Sequence, residues 1–276
     1  MENPTHEILS CVLSVAGSDS GAGAGIQADV RTCTSLGVHC CTAITAVTAQ
    51  NTQGVQARYD LPTEVVRQQL KSCFEDFVVK VVKTGMLANT TNIGTLIQVL
   101  EKYSPAFLVV DPVIMSSSGA QLLEFDALTL LKLELMPHIS LFTPNLEEAA
   151  YILNCPVATT EEMMKTQCEQ LLAMGPKALL LKGGHLNSAE LRDYYMDRSK
   201  AFAISHSRLH SPNTHGTGCT LASAISAYLV KGERMETAVQ SGINYLQTIL
   251  KQSVGTSYGH GKGPMSHWYW QDQDRL

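Results

Sequence analysis

The chain has 276 residues, 45% hydrophobic and 16% charged, which suits one large α/β domain over residues 1–276 with no dividing linker. A formal net charge of −5, with no Lys/Arg cluster, excludes nucleic acid and anionic membrane as partners. Eight cysteines without a C-x-x-C pair argue against zinc or a disulfide framework, and the short polar N-terminus predicts neither a signal peptide nor a membrane span, so a cytoplasmic protein with reduced thiols is expected.

Apolar residues 8–16 predict a strand, followed by a glycine loop to Gly25 and a helix with Ile26, Val30, Cys33 and Leu36 on one face and Gly37 as its stop. A β-rich run over 38–49, a polar segment over 50–60 and a helix after Pro62, buried through Val66, Leu70, Cys73, Phe74 and Phe77, come next. Residues 78–87 read as a strand and 91–103 as a helix. The apolar run Phe107 to Val110 ends on Asp111-Pro112. A Ser/Gly loop over 115–121 leads to a helix at 126–136, a short strand at 141–143 and helices at 145–153 and 161–174. A strand from Ala178 then ends in Lys182-Gly183-Gly184. Residues 194–205 predict an antiparallel hairpin turning at 197–199, and helices at 217–230 and 235–252 precede a glycine-punctuated tail.

Repeated strand-to-helix units imply a three-layer α/β/α sandwich with a mostly parallel sheet, whose ligands bind beyond the carboxyl ends of the strands. Polar residues gather there: Asp19 after the first strand, Gln50 and Asn51 after the second, then Asp111, Asn145 with Glu148, and Lys182.

The stretch His215-Gly216-Thr217-Gly218-Cys219-Thr220 feeds a tight glycine turn into an apolar helix. The free amides of a first helical turn, the dipole and the missing Cβ atoms at Gly216 and Gly218 make an anion hole, with Thr217 at its centre. Cys219 stands inside that field, where a thiol loses its proton more readily, so it is a candidate base beside a transferring phosphoryl group; the plainer reading is a small apolar residue starting a buried helix. Lys182 could hold ATP phosphates, and Asp111 and Glu148, with Asn145, offer the oxygen ligands that Mg2+ prefers; Asn145 and Glu148 also fit a helix cap. Gly23-Ala24-Gly25-Ile26-Gln27-Ala28 fits a loose dinucleotide fingerprint, so an NAD(P)-binding oxidoreductase is the competing reading. It lacks the acidic residue expected about 20 positions further on.

Taken together, Ala16-Gly17-Ser18-Asp19-Ser20, Gly23 to Asp29, Ala49-Gln50-Asn51-Thr52, Lys83 to Leu87, Asp111-Pro112-Val113, Thr143 to Ala149, Lys182 to His185, Asn213 to Thr220 and Gly261 to Pro264 resemble the hydroxymethylpyrimidine/phosphomethylpyrimidine kinases of thiamine biosynthesis. The resemblance runs in order from Val12 to about Trp268 and implies a ribokinase-like fold. It implies a kinase that uses MgATP to phosphorylate 4-amino-5-hydroxymethyl-2-methylpyrimidine and then its monophosphate, and commonly a homodimer. A pyridoxal kinase on the same scaffold is the close alternative. By the family's pattern Gln50 would bind the aminopyrimidine, with Gly17, Asp29 and Met86 lining its pocket. Lys182, Asp111 and Glu148 would serve phosphates and metal, Gly216 to Gly218 the anion hole, and Cys219 would be the base. Ala22 stands where the family commonly has glycine, which means strain if the site requires positive φ, and the loop Ser116 to Gly119 lacks the basic or cysteine residue of some relatives, including ones that accept pyridoxal.

Overall fold

The computed structural model describes residues 8–115, 122–183, 190–209 and 211–267; the loop Ser116 to Gly119 lies outside them. Among the described residues nine strands form one sheet in the order β3-β2-β1-β4-β5-β6-β7-β8-β9, comprising β1 (Ser10–Asp19), β2 (Cys40–Asn51), β3 (Gly54–Asp60), β4 (Val78–Thr84), β5 (Phe107–Val110), β6 (Leu141–Phe142), β7 (Ala178–Leu181), β8 (Glu190–Asp197) and β9 (Ala201–Ser207). Strands β2, β1, β4, β5, β6 and β7 run parallel, while β3 at one edge and β8–β9 at the other pair antiparallel.

Side chains alternate between the sheet's two faces. Cys11, Leu13 and Val15 of β1 join one apolar cluster and Val12 the opposite one, and Leu179 and Leu181 of β7 are likewise divided from Leu180. The first cluster is closed by α2 (Thr63–Asp76), α3 (Thr90–Tyr103), α4 (Phe125–Leu130), α5 (Leu146–Leu153) and α6 (Glu161–Leu172); the second by α1 (Gly25–Ser35), α7 (Thr217–Val230) and α8 (Met235–Gln252). Helix α7 is apolar nearly all round because α1 and α8 flank it over the sheet.

Three expectations change. The polar segment after residue 50 contains β3, which folds back on β2 with Asn51 opposite Gly54, so Gln50 sits on a strand end. Only Phe125–Leu130 of the helix expected at 126–136 is α-helical; Leu131–Leu135 widens to a π turn and Met136–His138 tightens to a 3-10 turn at Pro137. Strand β1 extends to Asp19, carrying that carboxylate to the sheet's carboxyl edge. The eight cysteines are free thiols, and no helix among the described residues is long and apolar enough to cross a membrane.

Candidate active site

The chain leaves β1 toward β2 on one side and β4 on the other, and this switch opens a crevice at the strand ends. Helix α7 aims its N-terminus there. Gly216 caps it at φ +82°, and a Cβ would stand 1.9 Å from the carbonyl oxygen of Gly23, so only glycine allows the turn. No side chain caps the helix and no acidic residue lies in its first turn, which leaves the amides around Thr217 and Gly218 to an anion.

A Cβ on Gly218 would lie 3.0 Å from Asp111 Oδ2 and 3.3 Å from Lys182 Nζ, so the bare glycine keeps open the space between the helix and this ion pair. Lys182 Nζ donates to Asp111 Oδ1 at 2.7 Å. Asp111, with Glu148, holds the Lys182 ammonium above its ordinary range although burial opposes the charge. Asn145 caps α5: its side chain accepts from the Glu148 amide at 2.7 Å while Glu148 Oε2 accepts from the Asn145 amide at 2.9 Å. Burial pushes the Glu148 carboxyl up, with Lys182 opposing. Asn145 and Glu148 are thus a capping box whose carboxylate also sits in the field of Lys182 and Asp111.

Cys219 lies in the first turn of α7, 8% exposed, in the field of the buried Lys83 ammonium. Burial pushes its thiol up to about 11, against the pull of the Lys83 ammonium; Asp29 and Asp111 add to the rise and the Gly25 amide, donating to the sulfur, resists it. The expectation of an acidified thiol is corrected, because desolvation at this depth outweighs the helix terminus.

Asp29, which the family resemblance puts at the pyrimidine pocket, is fully buried: Lys83 Nζ donates to its two oxygens at 2.8 and 2.9 Å, and the hydroxyls of Ser14 and Ser223 donate as well. Burial opposes the Lys83 charge, but Asp29, Cys219 and Asp111 hold it well above the usual lysine range. The pair supports the floor beneath the thiol. Met86 and Gly17 do meet: a Cβ on Gly17 would fall 2.4 Å from Met86 Cε, and Met86 packs with Ala46, Leu122 and Val113.

Gln50 stands across the crevice, its side-chain amide 2.9 Å from His215 Nε2, and His215 Nε2 lies 3.0 Å from Asp19 Oδ2. Asp19 also accepts from the amides of Gly21, Gly23 and Ala24. Burial works against its charge, but the bonds from His215 and these amides outweigh it and lower its carboxyl. The amides that a dinucleotide pyrophosphate would need are thus taken by the chain's own carboxylate, and the oxidoreductase reading loses its phosphate site. Sequence reasoning assigned no role to Lys83 or to the Asp19–His215 pair; a lysine inside the apolar run of β4 was the available signal. Beside the anion loop an open recess of about 510 Å³ is lined by Arg208, Leu209, Ser211, Pro212 and Thr214.

A mostly parallel sheet whose carboxyl edge carries a glycine-led helix terminus, a buried lysine–aspartate pair and a thiol is the architecture of a ribokinase-like small-molecule kinase. The chain belongs to the phosphomethylpyrimidine kinase family, whose pattern matches residues 19–266. It is 40% identical over 257 residues to the hydroxymethylpyrimidine/phosphomethylpyrimidine kinase of Escherichia coli, covering 93% of this chain and 97% of that one. A chloroplastic thiamine biosynthetic bifunctional enzyme of Arabidopsis thaliana is 43% identical over 265 residues, covering 95% of this chain; the chain spans 51% of that relative's length. Among solved structures, a pyridoxal kinase of Staphylococcus aureus in complex with AMP-PCP and pyridoxal superposes with a TM-score of 0.88 at 28% identity, covering 97% of this chain and 96% of that one.

Proposed function

We infer that the chain transfers the terminal phosphoryl group of ATP to the hydroxymethyl oxygen of 4-amino-5-hydroxymethyl-2-methylpyrimidine, and then a second phosphoryl group to the monophosphate. The observation that carries this reading is the convergence of Gly218, Lys182 and Asp111 within contact distance at the start of the helix that bears Cys219. Phosphoryl transfer needs positioning and charge neutralisation more than covalent chemistry. The α7 amides and the Lys182 ammonium supply positive charge where the transferring group sits, and the recess beside Thr214 takes the rest of the nucleotide.

Asp111 and Glu148 fit Mg2+ held through water: the donors are all oxygen, and Asp111 Oδ2 faces the space that Gly218 leaves open. Bound there, the ion would neutralise charge on the phosphate oxygens. Gln50 hydrogen-bonds the pyrimidine while Met86 and Gly17 wall its ring, and Cys219 accepts the alcohol proton. Because the thiol rests protonated, its thiolate is a minor form stabilised by Lys83. The monophosphate is already largely dianionic near neutral pH and needs no base.

We place the chain in the cytoplasm as a homodimer. Val47 and Tyr59, paired across the edge hairpin of β2 and β3, are 45% and 68% exposed, the apolar edge that a second copy would cover. Incubation with MgATP and, separately, the pyrimidine alcohol, its monophosphate and pyridoxal tests the assignment. Both pyrimidines are expected to turn over much faster than pyridoxal; preferred pyridoxal turnover would transfer the assignment to the fold's other vitamin kinase.

A further inference from the structure

Five polar groups in the crevice, Asp19, His215, Gln50, Thr48 and the Ser18 carbonyl, share a hydrogen-bond chain whose direction follows from its proton inventory. His215 Nε2 lies 3.0 Å from Asp19 Oδ2 and 2.9 Å from the Gln50 side-chain amide. The other end of that amide lies 3.2 Å from Thr48 Oγ1, and Thr48 Oγ1 lies 3.0 Å from the carbonyl oxygen of Ser18. Both termini only accept. The Ser18 carbonyl has no proton, and Asp19 already accepts from three backbone amides, which holds it as a carboxylate. Nε2 of His215 must therefore carry a proton toward Asp19, and the single hydroxyl proton of Thr48 goes to Ser18.

A protonated Nε2 cannot accept from Gln50, and a Thr48 hydroxyl that has given its proton to Ser18 can only accept. The structure places the amide nitrogen on the His215 side, but the two ends of an amide are nearly isosteric and the proton inventory reverses them. Gln50 then turns its oxygen to His215, where it shares the single Nε2 proton with Asp19 in a three-centre bond, and its nitrogen to Thr48, leaving one N–H and one oxygen lone pair for a ligand. That pattern is complementary to a ring nitrogen beside an amine. An oxo group beside a ring N–H offers the reverse and mismatches it.

We propose that His215, held by Asp19, is a positioning residue that fixes which way the Gln50 amide faces and so makes the site select a 4-aminopyrimidine over its 4-oxo counterpart. The inference rests on the reading that Gln50 binds the pyrimidine. His215 itself need not touch substrate. Its neighbours fit the role, since Ser20 Oγ both donates to the Gln50 carbonyl at 2.7 Å and accepts from its amide at 2.8 Å, pinning the backbone so that only the side chain is left to orient.

The test measures kcat and KM for the aminopyrimidine alcohol and for its 4-oxo analogue, and KM for MgATP, in the wild type, His215→Phe, His215→Gln, Gln50→Ala and the His215→Phe/Gln50→Ala double variant. His215→Phe is expected to raise the aminopyrimidine KM and shrink the amino-to-oxo preference in kcat/KM by about three- to tenfold, the scale of one hydrogen bond, with KM for MgATP unchanged. His215→Gln, which keeps a donor near the Nε2 position, restores most of the preference, and His215→Phe adds nothing in the Gln50→Ala background. An unchanged preference, an equal rise in KM for MgATP, or multiplying effects in the double variant would overturn the proposal. If Gln50→Ala leaves the pyrimidine KM unchanged, the reading of Gln50 falls first and takes the proposal with it. Should His215→Phe fail to fold, ¹⁵N NMR of the wild-type imidazole decides: a proton on Nε2 supports the chain of bonds, and a bare Nε2 refutes it.

Discussion

Lys83 and Asp29 bury two opposite charges completely under the thiol of Cys219, with Ser14 and Ser223 filling the remaining acceptor sites of the carboxylate. Removing one member strands the other without water, a loss of about 3 to 5 kcal/mol. Lys83→Met is therefore expected to lower the thermal midpoint sharply, and Lys83→Met/Asp29→Asn to recover much of that loss; calorimetry on the two variants checks it. Ala22 poses a smaller problem, with φ at +57°, the left-handed region in which an alanine is strained. Ala22→Gly should gain about 1 kcal/mol and raise the midpoint by about 2 to 4 °C in a chain of this size. An unchanged or lower midpoint would mean that the loop bears no such strain. The tight turn at Gly216 could be read from glycines placed before an apolar helix, and Gly17 was marked only by the family resemblance, whereas the burial of Asp29 could not be read at all. Its partner lies 54 residues away, and local pattern does not reveal which acid a buried lysine will meet.

At the scale of elements, the N-terminus of α7 was legible as glycines feeding an apolar helix, and the capping box of α5 as Asn145 followed three residues later by Glu148. Strand β3 was not, although Val55, Ala57 and Tyr59 alternate with Gln56, Arg58 and Asp60, because so short a run beside the polar turn at 51–54 does not stand out and, on an edge strand, exposed residues lie on both faces. The π turn that interrupts the helix after Leu130 has no sequence signal. The open first turn of α7 makes a direct prediction. Gly218→Ala places a methyl 3.0 Å from Asp111 Oδ2, inside the space given to phosphate, without opposing the helical backbone. The variant should fold normally and lose roughly ten- to a hundredfold in kcat, measured by coupled ADP release beside a thermal melt. Full activity would show that phosphate does not pass between Gly218 and the Lys182–Asp111 pair.

At the scale of the whole molecule, six strand ends bring together residues from 17 to 219, and the sheet order puts Gln50, Met86 and Gly17, the proposed alcohol pocket, at the ends of β2, β4 and β1, and Asp111 and Lys182, the proposed phosphate groups, at the ends of β5 and β7. A thiol pushed up to about 11 gives the first transfer a pH signature. Below that value each unit of rising pH multiplies the thiolate about tenfold, so the first step should quicken between about pH 7 and 9 while the second, needing no base, does not follow it. The decisive measurement is rapid-quench single turnover of the two steps, alcohol to monophosphate and monophosphate to diphosphate, in the wild type and in Cys219→Ala. The variant is expected to lose most of the first rate, together with its rise with pH, and to keep most of the second. Equal losses in both steps, or a pH dependence that survives without the sulfur, would show that Cys219 shapes the site and takes no proton.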